Sequence, residues 1–333
     1  MKRLFALSLA LVMALSLAAC GGSKAPAAGS ASTGAASSTP TPTKPADSAP
    51  VLTLGDQVSE DIKADDGTVA VIISYTPISI SYPANAEVEK AIQKDLDKVV
   101  ADFLQSARDY EEEAKTYYKE YLQSGGKAED FNPYVCSLDS KAIRQDTGVT
   151  SALFSSYAFT GGAHGGLVTF ARNYDTKTGK ILTMKDLGEG VSTLAIDNVV
   201  KFVDAIQKDG DAFFYDKVKA DDESVQSMLE TGNFYLSKDG LVLIDGQYLL
   251  QPYAAGIAEF TTSYDDLKGK LQEAYALTGG ITSCMGIETT YTFDKDGKLV
   301  STKTSYDPAV LNDGESTPNT AQDAADGSVS ASN

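Results

Sequence analysis

The chain has 333 residues, 42% hydrophobic and 22% charged, a composition that sustains a real core and excludes collagen-like and wholly disordered proteins. Asp and Glu number 46 against 28 Lys and Arg, a net charge of −18 with no basic stripe, which excludes a nucleic-acid partner. One histidine, three cysteines and no tryptophan leave little material for zinc sites or histidine triads, so no metal and no cofactor is expected.

Lys2 and Arg3 precede a short apolar run over residues 4–17, too short to span a bilayer, and residues 1–19 read as a signal peptide. The run ends Leu17-Ala18-Ala19-Cys20, which resembles the lipobox of bacterial lipoproteins and implies cleavage before a lipidated Cys20. Losing Lys2 and Arg3 moves the charge from −18 to −20. The expectation is an extracytoplasmic protein anchored to the cell membrane through its N-terminal lipid. Residues 20–50 are almost wholly Ala, Ser, Thr, Gly and Pro and read as a disordered tether.

Strands are expected over residues 51–54, 69–75 and 78–82, the last alternating apolar and polar residues. Asn85 is placed to cap a long helix, where Val88, Ile92, Leu96, Val99 and Phe103 step by three or four along one face. That helix is read as running on to Tyr121 before Gly125-Gly126 breaks it. Residues 133–160 predict a long antiparallel pair turning near Asp146-Thr147-Gly148, followed by strands at 168–174 and 181–184. Ser192 is placed to cap a second apolar-faced helix. Further strands are expected at 234–236, 241–244, 248–250 and 258–261, a helix over 264–276, and a hairpin of 287–293 with 299–304. The fold class that follows is α+β, a mainly antiparallel sheet with packed amphipathic helices. Two consecutive modules, 51–148 and 149–276, share one compact body; a hairpin region over 277–305 and a disordered acidic tail over 306–333 follow.

The segments Tyr157-Ala158-Phe159-Thr160-Gly161-Gly162-Ala163-His164-Gly165 and Gln251-Pro252-Tyr253-Ala254-Ala255-Gly256 stand out, together with Asn233-Phe234-Tyr235-Leu236. In this order they resemble the extracytoplasmic domain of RsiV-type anti-sigma factors, also found ahead of the catalytic domain in certain peptidoglycan deacetylases. The resemblance covers roughly residues 65–275. It implies a surface binding or sensing role, since the anti-sigma members bind lysozyme through this region. No stretch of these 333 residues reads as the cytoplasmic segment of the anti-sigma factors or as a deacetylase catalytic domain, so the anti-sigma and deacetylase roles are not expected to carry over.

His164 admits two readings, a general base or ligand-contacting imidazole, and a hydrogen-bonding residue in a strand connection shaped by Gly161 and Gly162. No nucleophile partner is placed by spacing, so the connection is the favoured reading and no catalytic residue is assigned. Gly161, Gly162, His164, Pro252, Tyr253 and Gly256 are the positions of structural or binding interest. Acidic runs at 209–211, 221–223 and 294–297 read as solvated turns, because counting twelve from Asp294 reaches Ser305 where a calcium loop needs Glu. With Cys20 lipidated, Cys136 and Cys284 form an even pair that reads as a disulfide, two buried thiols being the alternative. The function expected is a non-catalytic binding module for a lysozyme-like cationic protein or for peptidoglycan; a carboxylate-based cell-wall hydrolase is the rival.

Overall fold

The computed structural model describes residues 49–207, 218–253, 256–277, 283–293 and 299–309, the last two stretches and residues 206–207 by backbone alone. The signal segment, Cys20, the tether through residue 48, the acidic runs at 209–211 and 294–297 and the tail beyond 309 lie outside the described residues, whereas Ala49 and Pro50, read as the end of the tether, are buried just ahead of the first strand. Four strands come first: β1 (Val51–Leu54), β2 (Val58–Lys63), β3 (Val69–Tyr75) and β4 (Ile78–Ser81). β1 and β4 make a two-stranded ribbon, while β2 and β3 begin the main sheet. β2 is absent from the sequence reading because its burial shows no alternation; five of its six residues are exposed.

Helix α1 (Ala86–Arg108) starts where the cap predicts, the Asn85 side chain accepting from the Val88 amide at 3.3 Å. It does not run on to Tyr121. A second helix, α2 (Glu111–Gln123), restarts after Asp109 and Tyr110 with Glu111, Glu112 and Glu113 in its first turn, where the positive end of a helix favours acids. The break lets α2 bury Ala114 beside Ala107 of α1 in the cluster formed with Ala70, Val71 and Ile73 of β3, and Tyr118, whose hydroxyl reaches Asp66 and Thr68 ahead of that strand.

Next come β5 (Tyr134–Gln145), β6 (Val149–Phe159) and β7 (Gly166–Asp175), three long antiparallel neighbours. β3 joins β5 in parallel, the two helices supplying the crossover that parallel strands need. The strand expected at 181–184 reduces to one bridge, Tyr174 to Ile181, ahead of the short helix α3 (Met184–Leu187). Helix α4 (Val191–Gln207) opens with Leu194 bonding back to the Gly190 carbonyl, so Ser192 sits inside the first turn rather than capping it. After α5 (Glu223–Gln226), strands β8 (Phe234–Leu236), β9 (Gly240–Ile244) and β10 (Glu259–Ser263) form a separate antiparallel sheet. The expected strand at 248–250 is a turn. The helix expected to Ala276 is one turn only, α6 (Tyr264–Leu267), with Gly269 at φ 76° close behind it. β11 (Ser283–Phe293) and β12 (Leu299–Ala309) complete the hairpin, β12 entering the stretch read as tail.

Strand alternation stacks these elements in four layers. Ala152, Phe154 and Tyr174 face α1 together with Leu138, whereas Leu153 and Ala171 face the other way, onto Tyr235, Val242 and Ile244 of the small sheet. The opposite side of that sheet, through Phe234, Leu241 and Leu243, packs on Ile196, Val199 and Val203 of α4. The architecture is α+β with predominantly antiparallel pairing, helices covering both outer faces.

The expected disulfide is not formed. Cys136 is a free, buried thiol, and the register sets Cys284 opposite Arg144, eight residues further along β5. At about 3.3 Å per residue the two positions stand roughly 26 Å apart along the strand, far beyond the ~7 Å limit for Cα atoms of a disulfide.

Arg144, fully buried at the end of β5, ties distant segments together. It pairs with Asp146 and donates to the Tyr264 hydroxyl at 2.8 Å, the Tyr275 carbonyl at 2.9 Å and the Ala276 carbonyl at 3.0 Å. Asp146 in turn accepts from the amides of Gly148 and Val149, shaping the β5–β6 turn. Removing one member of such a pair strands the other charge in the interior. Arg144→Ala is therefore expected to cost about 3–5 kcal/mol in urea unfolding. Lys98→Ala, which breaks an exposed pair with Asp102, should cost under about 1 kcal/mol.

Candidate functional site

The connection from β6 to β7, residues 160–165, needs glycine at Gly161 and Gly162, whose φ angles of 87° and 90° lie in the left-handed region. It carries an exposed His164 towards the turn that follows β9. The Nδ1 of His164 lies 3.0 Å from the Gly165 carbonyl, which can only accept, so Nδ1 bears the proton. Nε2, 3.1 Å from the Tyr248 hydroxyl, then accepts from it. The imidazole also stacks on Tyr253, centroids 3.9 Å apart and planes 19° apart. Tyr248 stands 5.9 Å from Tyr253, giving a cluster of three rings.

Tyr248 is the one non-glycine with positive φ among the described residues, at 68°, and is 48% exposed. A bulky residue in that region is strained and held by its surroundings, a feature frequent at functional sites. Beyond it, Gln251 is buried and donates to the Gly256 carbonyl at 2.9 Å, closing the loop that presents half-buried Pro252 and Tyr253. Gly256 itself has φ 87°.

The two loops border a groove of about 350 Å³ lined by residues 166–169 of β7, Asn233 and residues 244–247. Gln247 bridges the walls, its Oε1 accepting from the Leu167 amide at 3.1 Å. Asp245 is 1% exposed, and neither carboxylate oxygen has a hydrogen-bond partner. Burial pushes its carboxyl up to about 8; the amides of Gly246 and Leu250 face it and hold back that rise without reaching good bonding geometry.

Of the positions singled out in the sequence, His164 and Tyr253 meet directly, Gly161 and Gly162 bend the first loop, and Pro252 and Gly256 frame the second. Asp245, Gln247 and Tyr248 escape sequence reasoning. Asp245-Gly246 after an apolar strand does carry a turn signal, whereas nothing local marks a tyrosine for the left-handed region.

The family model described as "Deacetylase PdaC" matches residues 71–166, and that described as "Protein of unknown function (DUF3298)" matches residues 193–265. His164 belongs to the first matched region and Asp245, Tyr248 and Tyr253 to the second, so the site forms where the two come together. Similar solved structures include a DUF3298 family member from Bacteroides fragilis, 17% identical, covering 68% of this chain and 96% of that one with a TM-score of 0.49. A DUF3298 family protein from Pseudomonas aeruginosa is 16% identical over the same shares, with a TM-score of 0.44. No curated protein matches the chain.

Asp245 sets a pH signature. Its folded value of about 8 stands above the ordinary 3.8, so the folded state keeps a proton that the unfolded chain releases. That contribution to stability is complete below about pH 4 and is lost as pH climbs towards 8. Asp245→Asn, close in size and uncharged, is expected to raise stability at pH 9 by on the order of 3–5 kcal/mol. It should also flatten the slope between pH 4 and 8, as read by thermal unfolding across that range.

Proposed function

We propose that this chain is a lipid-anchored protein of the bacterial envelope whose α+β body binds a partner without catalysing a reaction. A lysozyme-like cationic protein is the favoured partner. The PdaC and DUF3298 matches support an envelope role, and the ordered motifs resembling the RsiV-type ectodomain support the choice of partner. The net charge of −18 adds long-range attraction for a cation, which acts more on encounter rate than on final affinity.

One observation carries the non-catalytic reading. Both nitrogens of His164 are engaged, Nδ1 by the Gly165 carbonyl and Nε2 by the Tyr248 hydroxyl, so the ring clasps two loops and is oriented by a backbone carbonyl in place of the carboxylate of a catalytic relay. The rival reading, a cell-wall hydrolase, has one specific feature in its favour, the raised carboxyl of Asp245. Yet Asp245 is the single acid among the groove's lining residues, and glycoside hydrolysis ordinarily employs a pair.

Among the described residues no helix is long and apolar enough to cross a membrane, so in this reading the lipid on Cys20 is the anchor. Cys20→Ala is expected to leave an unprocessed precursor or release the protein, followed by fractionation and mass. A processed Cys20→Ala protein retained on the membrane would sink the lipoprotein assignment.

The partner is tested by titrating lysozyme and an equally basic unrelated protein at low and physiological salt. Lysozyme should keep measurable affinity at physiological salt with a slower association rate, while the control loses binding there, where the Debye length is about 8 Å. Equal loss of both would reduce the resemblance to shared fold.

A further inference from the structure

The groove beside His164 has a composition that the binding reading above does not by itself explain. A carboxyl that is 1% exposed, faced by the amides of Gly246 and Leu250 but in no well-formed hydrogen bond, is costly, and natural interiors rarely leave one so. It lies among lining residues that are otherwise uncharged: residues 166–169, Asn233, Ile244, Gly246 and Gln247. No neighbouring charge contributes to its perturbation, which comes from burial opposed by two amides. The ring cluster stands at one end of the groove, outside its lining. His164 precedes one wall by two residues and Tyr248 directly follows the other, and their 3.1 Å contact joins the walls at one end. Tyr248 is half exposed, and Val168, on the first wall, is 62% exposed.

We infer that this groove is a socket for a basic side chain, an ammonium or guanidinium borne by a protein partner, with Asp245 as its counter-charge and the Tyr248 ring, at the groove's end, as an aromatic face. A cation prefers the face of a tyrosine ring, and an alkyl stem packs on an exposed valine. Asp245 holds a proton when the groove is empty; the entering cation replaces that proton, which passes to solvent, and the site ends with one positive and one negative charge. A chain with net charge −18 draws such partners, but attraction spread over a surface selects none of them. A desolvated acid in a shaped groove does select, because a partner with no cation at that point leaves the carboxyl unsatisfied. The inference rests on the cationic-partner reading and gives it an address.

The test measures acetylated tetralysine binding to the full chain by calorimetry at 0.15 M salt, with chitotetraose as the uncharged comparison. The wild type should bind tetralysine, Asp245→Asn should weaken it at least tenfold, and Tyr248→Ala at least threefold. Asp221→Asn, an exposed acid outside the lining, should leave the affinity unchanged. Thermal midpoints separate lost binding from lost folding, since Asp245→Asn is expected to be at least as stable as the parent; Tyr248→Ala, at an exposed position, provides the independent second variant. Equal affinity in Asp245→Asn and wild type overturns the socket, as does an equal loss in Asp221→Asn, or chitotetraose binding that Tyr248→Ala abolishes while tetralysine does not bind. Lysozyme titrated against the same variants keeps the two readings apart. If lysozyme binds wild type and Asp245→Asn alike, the socket falls and the partner stands; if tetralysine depends on Asp245 and lysozyme does not bind, the socket stands and the partner falls.

Discussion

A single buried guanidinium holds the far ends of this molecule in register. Arg144 reaches from the end of β5 to the turn acid Asp146, to the Tyr264 hydroxyl on α6 and to the carbonyls of Tyr275 and Ala276. The chain separations of these contacts, 120 to 132 residues for the last three, make it a tertiary clamp rather than a local turn device. Its partners continue the network. Tyr264 donates to the Ser237 carbonyl between β8 and β9, and Tyr275 to Asp175 at the end of β7. The small sheet, the main sheet and the segment after α6 are thereby fixed relative to one another, and the groove lies between the two sheets they position. Arg suits this role because its planar fork offers five donors that several carbonyls and one carboxylate can satisfy together.

The candidate site follows from that stacking. β7 is covered over its second half, where the Ala171 amide bonds to the Gly232 carbonyl and the Asn173 side chain to that of Phe234. Its first half borders the groove instead, where the chain beyond β9 turns at Gly246. Two loops from separate strand connections then meet through ring contacts instead of backbone pairing. Side-chain contacts of this kind leave room for a partner to insert, whereas a continued ladder would close the space.

What the sequence discloses and what it conceals divide along physical lines. α1 is legible because its stripe repeats at helical spacing and a capping residue stands before it; β4 is legible because it alternates buried and exposed residues, β9, buried on both faces, because it is a short apolar run closed by turn residues, and β6 because the Asp146-Thr147-Gly148 turn precedes it. β2 is not, since its residues are mostly solvent-facing and backbone pairing to β3 is what orders it. The α1–α2 break was open to view in the Glu111-Glu112-Glu113 run, which marks a helix start as readily as a solvated middle. At the site, glycine-rich motifs reveal the two loops, but the meeting of His164 with Tyr248, 84 residues apart, belongs to tertiary structure alone. The even cysteine count misled for a related reason: parity says nothing of distance, and β5 separates the two positions by two-thirds of its own length.

That unpaired cysteine has a consequence of its own. Cys136 is 1% exposed between β3 and β6, and burial pushes its thiol up to about 11. The reactive thiolate is then scarce at neutral pH, and no reagent reaches the sulfur without parting the sheet. Oxidants and disulfide exchange therefore pass Cys136 by in the folded protein. Labelling of Cys136 itself by a thiol-modifying probe in excess would instead count the moments when the strands around it part, so the residue serves as a chemical clock for that opening.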